Sequence, residues 1–186
     1  MRQPISPAER IVYGYVADIR ATSRSDTIIY NIVIVDLKGE EHRVRMRIPP
    51  GWLRIGMPIM GKLVRVASGR EVYYVIQDMQ IYEELRGPRV VKAESIRIEE
   101  SATASVGRGL LYINVAGGGG MSVPIISQTV LDKARSAQGG ECYIHIAETP
   151  AGSMVVAVQT EKQRSRYEKL EKFLGWLEKG EEITPP

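Results

Sequence analysis

The sequence has a single cysteine, Cys142, in 186 residues. That excludes an internal disulfide and any cysteine-rich zinc module. Two histidines, His42 and His145, are too few for most metal centres. No apolar run reaches the ~18 residues that a membrane-crossing helix needs. Residues 1–20 lack the basic-apolar-small order of a signal peptide, so a cytoplasmic chain with no membrane partner is expected. Cys occurs once and Asn twice, against abundant Ile, Arg and Glu, a balance expected of a thermophile.

What is present is β-branched. The chain carries 20 Ile and 18 Val against 10 Leu, together with 9 Tyr. Such side chains fit a pleated, half-buried surface, so a mainly β protein is expected. The net charge of +3 is unevenly placed. Residues 1–86 hold 13 Lys/Arg and 10 Asp/Glu, and 11 of those 13 bases are Arg; residues 87–160 and 161–186 each hold 6 and 6. Arg is the side chain suited to phosphate forks and to stacking on bases.

Turn chemistry divides the chain into a polar tail (1–8), a first β unit (9–86), a second (89–160) and a terminal helix (161–186). The first unit reads as strands at 9–20, 27–37, 41–48, 61–67 and 71–82, with a polar loop at 22–26 and a stop at Pro49-Pro50-Gly51. Arg86-Gly87-Pro88 marks the boundary. The second unit reads as strands at 89–104, 109–116 and 121–126, then a helix at 128–137 capped by Ser127, then strands at 141–148 and 153–160. In the last segment Tyr167, Leu170, Leu174 and Leu177 follow helical 3-4-3 spacing, with Phe173 and Trp176 beside them. This stripe either docks on the chain's own β units or forms a partner or self-association helix.

The first unit carries Val12-x-Gly14-x-Val16-x-x-Ile19, then Asp36-Leu37-Lys38-Gly39, then Ile55-Gly56-Met57-Pro58-Ile59-x-Gly61-Lys62-Leu63. In that order these segments resemble the OB-fold domains of the replication protein A and archaeal single-strand-binding family, over residues 10–85. The resemblance implies a five-stranded Greek-key barrel whose ligand surface is the face of strands two and three with the loops joining strands 1–2 and 4–5. By strand order alone the second unit is a further small β barrel or sandwich, OB-like or not, with one helix.

Arg43-Val44-Arg45-Met46-Arg47-Ile48 is the sharpest local pattern. Alternation puts the three Arg on one strand face, a row about 13 Å long at about 3.3 Å per residue. Such a row can track a phosphate backbone. The resemblance places Arg24 and Arg70 at the two loop tips, and Tyr30, Tyr73 or Tyr74 can offer a stacking ring. The same row is also what a solvated face paired with Glu40, Glu41 or Glu71 looks like.

Nothing points to catalysis or to a cofactor. Residues 117–120 are all Gly, but no Gly-Lys-Ser/Thr follows, so they form no phosphate loop. Cys142 and His145 fall on opposite strand faces, and the adjacent acid pairs Glu83-Glu84 and Glu99-Glu100 do not converge. The expected role is non-enzymatic binding of single-stranded DNA or RNA. The competing expectation is a structural or adaptor subunit of a larger protein or ribonucleoprotein assembly.

Overall fold

The computed structural model describes residues 10–100, 108–166 and 168–169. The chain is mainly β: among the described residues there are two five-stranded sheets, a helix between the eighth and ninth strands, and helical residues from 161 onward. No helix among the described residues is long and apolar enough to cross a membrane.

The first sheet comprises β1 (Arg10–Arg24), β2 (Thr27–Asp36), β3 (Glu41–Met46), β4 (Pro58–Ser68) and β5 (Glu71–Ile81), in the spatial order β3-β2-β1-β4-β5. Every neighbouring pair is antiparallel. The second comprises β6 (Arg89–Glu100), β7 (Gly109–Val115), β8 (Gly120–Ile125), β9 (Cys142–Thr149) and β10 (Gly152–Thr160), with α1 (Gln128–Ala137) between β8 and β9. These five strands close on themselves: β10 pairs antiparallel with β9 and parallel with β8. The barrel expected in the first unit is therefore an open ladder in its hydrogen bonding, and the closed one is formed by the second unit.

Three local readings change. The polar stretch 22–26 is not a loop: β1 and β2 stay paired to Arg24↔Thr27, joined by Ser25-Asp26 with φ of 44° and 64°. Two successive positive φ values match the right-handed twist of a two-residue hairpin. Polar side chains are tolerated there because both faces of the hairpin tip are solvated. β3 ends at Met46, not Ile48, because Pro49 and Pro50 have no N–H to give a ladder. β4 begins at Pro58, three residues earlier than its pattern suggested.

The inner face of the first sheet packs Val12, Val16, Ile32, Ile34, Val44, Ile59, Leu63 and Ile76 into one core, with Trp52 half-buried against it. Gly14 lies where β1 presses on β2; a Cβ there would strike the Val35 carbonyl. Part of the outer face is covered. Tyr15, Ala17, Val33 and Val35 join the core that the second sheet forms with α1. Val33 and Val35 alone remove about 1.5–3 kcal/mol of apolar surface each from water, and the buried Tyr15 hydroxyl donates to the Arg86 carbonyl at 2.9 Å.

Two glycines of the family-like motifs also serve this junction. Gly39 and Gly56 both have positive φ, at 82° and 85°. A Cβ on Gly39 would collide with Ile126, and one on Gly56 with the His145 ring. Only glycine satisfies both the backbone and the close approach.

Candidate nucleic-acid interface

Pairing register decides which side chains share a face. Arg43 lies opposite Val33 and Arg45 opposite Asn31, so both are on the outer face. In β1 a bulge between Val16 and Asp18 shifts the register. Val16 pairs with inward Ile34, but Asp18 then pairs with outward Val33 and Arg20 with Asn31. One extra residue turns every later side chain over. Arg20 and Arg24 therefore join Arg43 and Arg45 on the outer face. Arg20 went unnoticed in the sequence because simple alternation from Val12 and Val16 sends it inward.

The arginines fall into two groups. At the hairpin tips, Glu71 accepts from Arg24 Nη1 at 3.2 Å and from Arg45 Nη1 at 3.1 Å. The Arg45 guanidinium also sits 4.9 Å from the centre of the Tyr73 ring. Hydrogen bonds from Arg45 and then Arg24 hold the Glu71 carboxyl below its ordinary value. Tyr73 is thus covered by a cation already. These contacts join β3 to β5 where the backbone ladder does not.

At the junction between the sheets, Arg43 Nη2 donates to Glu41 at 3.2 Å and to Thr129 of α1 at 3.3 Å. Glu41 accepts in addition from the Ser127 hydroxyl at 2.6 Å and from the Thr129 backbone N–H and hydroxyl. Burial alone would push the Glu41 carboxyl up, but these hydrogen bonds outweigh it and leave the value lowered. Beside it Asp18, buried, binds Arg20 Nε at 2.8 Å and Lys133 of α1 at 2.9 Å.

Other expected residues do not meet here. Arg47 follows the last residue of β3, so strand pairing does not hold it in the row. Arg70 sits exposed at the β4–β5 turn. Tyr30 pairs with Met46, which places it on the inner face, away from the arginines. Tyr74, two residues from inward Ile76, is on the inner face too. That face continues past the core onto the hairpins and leaves Ile28, Val72 and Tyr74 about half exposed; Ile48, just past β3, is 87% exposed. Of the partner-helix residues, Tyr167, Leu170, Phe173, Leu174, Trp176 and Leu177 all lie outside the described residues.

Elsewhere the chemistry is structural. Cys142 is fully buried and burial pushes its thiol up to about 11, so it stays protonated. His145 shares an Nε2···Oε1 hydrogen bond of 2.7 Å with Gln159, and burial lowers its pKa. Asp36, Glu40 and His42 bring ligand-type atoms within 4.8 Å of one another. Asp36 already accepts the Lys38 and Glu40 amides and faces His42 Nε2 at 2.9 Å, while Glu40 pairs with Arg10. The cluster closes the turn into β3.

Compared with protein-family models and with curated proteins, this chain finds no match in either.

Proposed function

We propose that this chain is a non-enzymatic nucleic-acid-binding protein that holds single-stranded DNA or RNA on the outer face of its first sheet. The observation that carries the reading is the gathering of Arg20, Arg24, Arg43 and Arg45, from two strands, onto one face. Guanidinium groups spaced along a sheet suit the repeat of a phosphate backbone. The strand order supports an OB-like reading of both units: the first runs 3-2-1-4-5, and the second closes through a parallel third-to-fifth pairing with a helix before its fourth strand. Few rings face the arginines, so the binding is electrostatic and indifferent to sequence.

A second reading is favoured by one observation. Ile28, Val72 and Tyr74 leave exposed apolar surface on the inner face, with exposed Ile48 just past β3, which suits a protein partner better than phosphates. Fluorescence anisotropy of the full chain with labelled 20-mer DNA and RNA separates the two. Salt-sensitive binding at low ionic strength supports the nucleic-acid reading. No detectable binding to either polymer at low salt would leave the adaptor reading ahead.

A further inference from the structure

Where the outer face of the first sheet meets α1 there is a hollow of about 260 Å³, lined among others by Asp18, Arg20, Asn31, Arg43, Thr129 and Asp132. Two of its walls are guanidiniums, and each is gripped from behind. Asp18 takes only the Nε of Arg20, which leaves both Nη groups without a partner among the described residues. Glu41 and Thr129 take only Nη2 of Arg43, leaving Nε and Nη1 without a partner among the described residues.

The acids behind them are committed elsewhere as well. Asp18 has Lys133 on its second oxygen. Glu41 caps α1 through Ser127 and Thr129. Asp132, on the α1 wall of the hollow, accepts from Gln128 and Arg135 along its own helix, both on Oδ1 at 2.9 Å, so Arg135 partners its charge. A carboxylate that fixes one edge of a guanidinium and leaves the other free removes the rotamer entropy an exposed Arg would lose on binding. On Arg20 the Nη1/Nη2 edge stays open as a fork in the geometry that phosphate oxygens accept, and Arg43, held at Nη2, adds its charge and single N–H donors beside it.

We infer that this hollow is a phosphate subsite, formed by Arg20 and Arg43 and completed by the second unit. Ser127 and Lys133 act as positioning residues through Glu41 and Asp18, and Thr129 positions Arg43 from the wall of the hollow. The subsite rests on the reading of the outer face as a nucleic-acid surface, and it adds that the first unit alone is incomplete. The phosphate comes either from within a strand or from its end, since α1 closes one side of the hollow.

The test uses the full chain and labelled 20-mers ending in 5′-hydroxyl, 5′-phosphate or 3′-phosphate, over a salt series. Arg20→Ala is expected to weaken binding and to reduce the magnitude of the log K against log[salt] slope by about 0.7. Arg20→Lys should keep the slope but lose affinity, because one ammonium does not replace a fork. Thr129→Val should keep the slope and raise Kd about two- to tenfold, since it removes one of the two contacts that hold Arg43 Nη2 and leaves its charge. An equal loss with all three oligonucleotides identifies an internal phosphate; a loss confined to one phosphorylated end identifies a terminal one. Unchanged Kd and slope in Arg20→Ala on every oligonucleotide, with Arg45→Ala still weakening binding, would overturn the subsite alone. Failure of the wild-type chain to bind any of the three would overturn the subsite together with the reading beneath it.

Discussion

Replacing Glu41 by Gln tests the junction most sharply. Helix α1 has no acidic residue in its own first turn. The negative charge that its N-terminus favours comes instead from β3 of the other sheet, through Glu41. Its side chain is 16% exposed, so solvent screens these bonds little. A charge at a partly buried helix N-terminus stabilises by up to about 2 kcal/mol, and hydrogen bonds to a charged group contribute about 1.5–3 kcal/mol. Gln keeps one acceptor, so the two effects together give a loss of about 2–3 kcal/mol for Glu41→Gln. At about 2–4 °C per kcal/mol for a chain of this size, Tm should fall by about 4–12 °C. The pH dependence adds a second constraint. The folded pKa is lowered from 4.5, so the carboxylate's contribution is complete above that value and is lost as pH falls through the folded one. Calorimetry of both proteins from pH 7 to pH 3 should therefore show a gap that narrows below about 4.5. Equal Tm at pH 7, or a gap that stays constant down to pH 3, would refute the reasoning.

Two more expectations follow from buried or shared groups. Glu71 occupies Arg24 and Arg45 as a phosphate would, so Glu71→Gln should tighten single-strand binding and steepen its salt dependence; weaker binding by anisotropy would show that Glu71 serves instead to hold the arginines in place. His145 is held neutral, with a folded pKa lowered from 6.5 by burial, so stability should be complete above that pH and decline below it by up to about 1.4 kcal/mol per pH unit. His145→Gln should lack that decline in urea melts between pH 7 and pH 5, and a variant that declines as steeply as the wild type would contradict it.

Much of the fold could be read from local pattern. The alternation Arg43-Val44-Arg45-Met46 fixed the two faces of β3, and the Ser127 cap marked the start of α1 correctly. Tyr30 shares its parity with Ile32 and Ile34, so the sequence itself held the signal that it faces inward. Other features depend on distant partners. The bulge at Ala17, an inconspicuous residue, turns Arg20 and Arg24 outward, and no local pattern announces it. Gly39 and Gly56 are recognisable as turn glycines, but their second role, against Ile126 and His145, arises only when the two sheets meet. Of the two readings of the arginine row, the pairing with acids is present in the structure: Arg43 meets Glu41 and Arg45 meets Glu71.

The outer face of the first sheet as a phosphate-binding surface is tested most directly by the salt dependence of single-strand binding in the full chain. Contacts from Arg20, Arg24, Arg43 and Arg45 correspond to a slope of log K against log[salt] of about −2.8, at about −0.7 per phosphate. In the triple variant Arg24/Arg43/Arg45→Ala the slope should shrink to about −0.7, with affinity lost alike for unrelated sequences. An unchanged slope and affinity in that variant would contradict the account.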